Sequence, residues 1–176
     1  MLGLQVHMIP IMVEDGLHAS TAALVMLVVG LTSVTSRIAT GYFLDRWHGA
    51  LLGRIVYALP VVGVVLLMFS GGDLLVLIFA AAILGVALGA EVDIMSYLTA
   101  RYFGTKNYGA LYGIMVGLLV LGGGIGPQIA SLIYDVWGSY QYYFWFVIPC
   151  FSLSSIFVGS CGPYPVFKKQ RRPSFL

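Results

Sequence analysis

The sequence predicts an all-α integral membrane protein, a bundle of helices crossing a bilayer, and three observations predict it. Of 176 residues, 60% are hydrophobic and only 9% are charged, with a mean hydropathy of +0.95. A water-soluble domain of that composition lacks the polar surface to cover itself. The apolar runs last about 18 to 24 residues, and at ~1.5 Å per residue that length suits helices in a ~30 Å hydrocarbon core. They do not alternate every second residue, as the strands of a membrane barrel would.

Composition also narrows the function. A net charge of +2 carries little information in a membrane protein, where the distribution of basic residues matters more than their sum. The lipid bilayer is the expected partner, and nucleic acid is not expected as a ligand. Cys150 and Cys161 have no metal-ligand spacing and read as packing residues. No metal and no cofactor are expected. No nucleophile, base and oxyanion set stands out, so an enzyme is not expected either. GGGIGP, Gly122 to Pro127, is followed by no lysine or serine and preceded by no strand, which rules out a phosphate loop.

Taken in order, Met1 to Val13 is apolar but too short to cross a bilayer, and reads as the end of a truncated span before Glu14, Asp15 and Gly16. It has no basic n-region and no small-residue cleavage site, unlike a signal peptide. Five complete spans follow, at about 21–43, 54–70, 74–97, 109–134 and 142–160, within a bundle covering 1–165. The turn 44–53, Gly71 to Asp73, the loop Arg101 to Tyr108, and Asp135 to Gln141 separate them. Residues 166–176 form a basic tail with Lys168, Lys169, Arg171 and Arg172.

Sidedness follows from the basic residues. Arg46 and Arg54, then Arg101 and Lys106, then the tail, all fall on one side. The remaining loops carry Glu14, Asp15, Asp73 and Asp135 without lysine or arginine. The positive-inside rule makes the first group cytoplasmic, most simply in a plasma membrane. GYFLDRW at Gly41 to Trp47 and SLIYDVW at Ser131 to Trp137 share a D-x-W exit in opposite orientations, a weak trace of an inverted repeat of three plus three helices.

GYFLDRW resembles the loop signature G-x-L-x-D-R-x-G-R-R of the major facilitator superfamily, as it recurs between helices eight and nine of twelve. Gly41, Asp45 and Arg46 are in place, Phe43 replaces the leucine, Gly49 falls one residue late, and the paired arginines are missing. Gly89, Ala90, Tyr97, Arg101, Phe103, Gly104, Tyr108, Gly109, Tyr112, Gly113, Gly126, Pro127, Asp135, Gly138, Ser139 and Tyr140 resemble the tenth to twelfth helices of the monocarboxylate and oxalate/formate branch. His7, Pro10, Gly16, Ala22 and Ala23 resemble the end of its seventh helix. The resemblance implies half of a major facilitator fold, with five complete spans plus the end of one, and secondary transport of a small organic anion, a mono- or dicarboxylate, by alternating access. It also implies a partner, either an amino-terminal six-helix half or a second copy. A non-transporting membrane interaction protein built from such a half is the alternative.

Depth sorts the charged residues. Counting ~1.5 Å per residue, Arg37 lies ~24 Å below Thr21, while Glu91 and Asp93 lie ~26 and ~29 Å below Leu74. Arg37 and Glu91 are therefore expected at one level. Arg37 reads as a ligand for a substrate carboxylate, with the branch's arginine four residues before the signature glycine as its counterpart, or as a structural partner of Glu91 or Asp93. Ser33 stands where the branch places its acidic proton carrier, and no lysine occurs between Gly109 and Tyr134.

Glu91 faces a cavity or takes up a proton, and His7 either titrates or packs. Asp93 extends the small-residue line Gly85, Gly89 and is expected to pair with Arg46 or Arg54. Gly41, Asp45, Arg46, Asp93 and Arg101 are candidates for a conformational latch, with Asp45 facing the amino end of the fourth span near Gly109. Gly113, Gly117, Gly126 and Pro127 are expected at helix-packing positions. Tyr97, Tyr108 and Tyr112 at one boundary, and Tyr134, Tyr140, Tyr142, Trp137 and Trp145 at the other, read as interfacial belts.

Overall fold

The computed structural model describes residues 1–165 as six α-helices: α1 Leu2–Glu14, α2 Ala19–Leu44, α3 Gly49–Met68, α4 Leu74–Phe103, α5 Tyr108–Trp137 and α6 Gln141–Gly159. The tail 166–176 lies outside the described residues. Helices α2 to α6 are long and apolar enough to cross a membrane, and α1 has 13 residues.

Helix ends follow capping chemistry rather than the first charge. Asp73 accepts a hydrogen bond from the Leu75 amide (2.8 Å) and starts α4, which runs on until Gly104 adopts a positive φ of 74°. Arg101 therefore sits in the last turn of α4, not in the loop the sequence suggests. Helix α3 likewise begins at Gly49, several residues before Arg54, because polar side chains do not interrupt a helix that has left the hydrocarbon.

The most extensive interface joins α2 to α4. Gly85 faces Val29 and Thr32, Gly89 faces Ser33 and Ser36, and the Ser36 hydroxyl donates to the Val86 carbonyl (3.0 Å). With no apolar driving force between helices in lipid, such close backbone contact and the hydrogen bonds it permits hold the pair. Helix α3 packs between α4 and α6, with Gly63 against Leu84, Gly53 against Ile94 and Val158, and the Ser155 hydroxyl donating to the Arg54 carbonyl (2.8 Å).

Helix α5 is attached mainly through α1, where Gly126 lies 3.3 Å from the Gly3 Cα by its would-be Cβ. Gly113 and Gly117 behave differently from the expectation of helix packing: a Cβ at either meets nothing within 4 Å, so both face away from this chain. Ala130 is the one buried residue of α5, and the helix continues through Pro127 to Trp137. Cys150 and Cys161 are exposed rather than packed.

The loops collect at two ends. At one, the α2–α3 turn meets the end of α4 and the segment after α6, with Tyr164 stacked on His48. At the other, the Ser70 hydroxyl donates to Asp15 (2.9 Å), and Tyr134 stacks on Tyr140. Arg46 and Arg101 thus share an end opposite Asp15. Single cysteines at Asp73 and Lys106 should label from opposite faces of sealed cells; labelling from one face overturns this topology.

Candidate functional site around Glu91

Glu91 projects from the middle of α4 into the junction of two cavities. The larger, about 350 Å³, is lined by Gly122, Gly123 and Gly126 of α5 and by Tyr143, Phe146 and Phe151 of α6. The smaller, about 70 Å³, runs toward Tyr57 and Ser154. Among the described residues that line them, Glu91 is the only acidic or basic side chain. It is half-buried, and the Tyr57 hydroxyl donates to its backbone carbonyl (3.3 Å). The small residues make the space. A glycine-lined wall leaves room that side chains would otherwise fill, and an ionisable group within a span faces such a cavity rather than lipid.

Arg37 is placed differently from the expected pair with Glu91. It is exposed on a flank of α2, lines neither cavity, and makes no side-chain hydrogen bond among the described residues. The reason is azimuth: Gly89 faces α2, and Glu91 lies about 200° further around α4 at ~100° per residue. A shared depth does not bring two helical side chains together.

Asp93, half-buried, continues the line of Gly85 and Gly89, but its two expected partners are engaged elsewhere. The Arg46 guanidinium lies 3.6 Å from the Tyr42 ring centroid and donates to the Tyr42 carbonyl (3.3 Å). The Arg54 methylenes cover Gly159 of α6. Arg101 donates its Nε proton to the Tyr97 hydroxyl (3.1 Å). Gly41 and Asp45 are exposed at the end of α2, and α5 packs on α1, α4 and α6.

His7 is buried and bridges α1 to α5. Its Nδ1 lies 3.1 Å from the Gly3 carbonyl, which only accepts, so the proton sits on Nδ1. In the neutral ring Nε2 then accepts from the Ser131 hydroxyl (3.1 Å). Beside it, Gln128, Ser131 and Asp135 follow one face of α5 along an open groove of about 380 Å³. Tyr140 stands over the imidazole at 5.6 Å, and its phenol is pushed up by burial first, then by Tyr134, Glu14 and Asp135.

A family model described as Major Facilitator Superfamily matches residues 2–174. The chain belongs to the major facilitator superfamily. Its described residues, six helices of which five are long apolar spans, form half of a major facilitator fold, and the protein is a multi-pass integral membrane protein of a family of secondary transporters.

Within this major facilitator half, sequence reading passed over Tyr57, Ser131 and Tyr164. Tyr57 had a usable signal, as a lone hydroxyl in the apolar run 55–69. Ser131 and Tyr164 had none, because each acts on a residue more than a hundred positions away.

Proposed function

We propose that this chain is the carboxyl half of a proton-coupled secondary transporter that moves a small organic anion, a mono- or dicarboxylate, by alternating access. The observation that carries the reading is Glu91, a lone carboxylate where two cavities meet inside a membrane-spanning helix. Ionisable groups so placed mark ion and proton paths, because the bilayer otherwise charges several kcal/mol for them. Arg37, a guanidinium on an uncovered flank of α2, supplies the fork that a carboxylate takes. Alternating access rocks two bundles about a shared site, so the second bundle is an amino-terminal six-helix half or a second copy. The exposed Gly41, Asp45 and Arg46, with Asp93 and Arg101, form the latch at the basic end, which faces the cytoplasm of a plasma membrane together with the tail.

The test is made in proteoliposomes holding the complete transporter. An imposed carboxylate gradient should drive proton uptake, and Arg37→Lys should weaken anion affinity roughly tenfold, since a point charge replaces the bidentate fork. Unchanged affinity with a lowered thermal midpoint would make Arg37 structural. A second reading has its own observation: the aromatic lining of Tyr143, Phe146 and Phe151 around a carboxylate also suits an organic cation. Competition of proton uptake by tetraalkylammonium ions, and not by carboxylates, would select it.

A further inference from the structure

The amino end of α3 has no cap of its own. His48 holds the N-cap position with extended backbone, φ −67° and ψ 120°, and its side chain makes no capping bond. The first amides of a helix have no partner within it, and a cap typically supplies one. Here the Gly49 amide donates instead to the Tyr164 hydroxyl at 2.7 Å, from a residue beyond the end of α6.

The same tyrosine is held on every side. Its ring stacks on His48 with centroids 4.2 Å apart and an interplanar angle of 14°, and lies 5.2 Å from Tyr102. The Arg101 guanidinium stands 5.7 Å from its centroid, and Tyr102 donates to the Gly162 carbonyl. Gly49 fits tightly beneath it, since a Cβ there would come within 2.8 Å of Tyr97 and 2.9 Å of the Tyr164 oxygen. Burial pushes the phenol up, and the Gly49 amide donating to its oxygen pulls the other way.

We propose that Tyr164 is the missing N-cap of α3 and a positioning residue for the α2–α3 turn, fastening Asp45 to Gly49 onto the end of α4. The contact joins three elements that are distant in sequence into one body at the basic end. It sets where the Gly41–Arg46 signature stands, whatever solute is carried. The assignment rests on contacts within this chain and not on the transport reading.

Amide hydrogen exchange on the full chain in lipid nanodiscs tests it. Tyr164→Phe keeps the stack and removes the acceptor, so peptides spanning 45–53 should exchange about fivefold faster, the equivalent of one net hydrogen bond. Tyr164→Ala should exceed that, while peptides from α1 and the far end of α5 stay protected. Unchanged exchange at 45–53 in Tyr164→Phe overturns the cap. Faster exchange at 45–53 in Tyr164→Ala with none in Tyr164→Phe shows that Tyr164 acts only through packing and also overturns the proposal.

Discussion

Replacing Glu91 by glutamine is expected to fix the complete transporter in its acid-side behaviour. Glutamine is a neutral near-isostere of the protonated acid, so it keeps the volume at the junction of the two cavities and removes the titration. If the proton on Glu91 and the anion are coupled, each raises the affinity for the other by the same factor, typically roughly 5- to 150-fold. The unmodified protein should bind the anion more tightly as pH falls through the titration of Glu91. With glutamine at 91, affinity should stay at its acid value across the range, and solute-driven proton uptake should vanish while solute exchange continues. Anion affinity measured by scintillation proximity at several pH values decides the matter. A pH dependence that survives Glu91→Gln would place the coupling group elsewhere, and His7 is then the next to examine.

The second large effect concerns the fold. Gly89→Val should destabilise the bundle by about 3 kcal/mol or more, because the added carbons meet backbone rather than a movable side chain. A Cβ at Gly89 would lie 2.8 Å from the Ser33 carbonyl carbon, and one at Gly85 would lie 2.6 Å from the Val29 oxygen. Neither helix can yield without opening the main interface of the bundle. Gly117→Val is the control, since among the described residues nothing beyond its own stretch of helix stands within 4 Å of its new Cβ. Thermal unfolding in detergent, followed by near-UV circular dichroism, should show a large fall in midpoint for the first substitution and almost none for the second. Equal midpoints would mean that the α2–α4 crossing is looser than the structure has it.

These two positions also mark what the sequence could and could not convey. Gly85 and Gly89 were legible because spacing by four on an apolar helix has one economical use, close approach of a neighbour, and α2 is that neighbour. Gly113 and Gly117 carry the same spacing, yet nothing in the spacing says whether the approaching helix belongs to this chain. Helix number and the division of loops between two ends were readable from hydropathy and charge, which are summed along the chain and tolerate local error. Side-chain pairing was not. Arg37 and Glu91 agree in depth, which accumulates simply with residue number. They part in azimuth, which depends on how α2 and α4 are rotated about their own axes. The cap on α3 escaped for a related reason, since Tyr164 lies 115 residues from Gly49 and only the closed bundle brings them together.

The attachment of α5 through α1 has a consequence for how the molecule is made. Helices α2, α3 and α4 pack together through the α2–α4 and α3–α4 interfaces, so they can associate soon after insertion, before α6 arrives to cover the other side of α3. Helix α1 can complete its contacts only when α5 has been synthesised, more than a hundred residues later, to bring Gly126 onto Gly3 and Ser131 onto His7. Until then the first helix waits in the lipid with its glycine and its imidazole uncovered. The first helix of this half is thus among the last of its six to reach its final place, and assembly of the half should be most fragile in that interval.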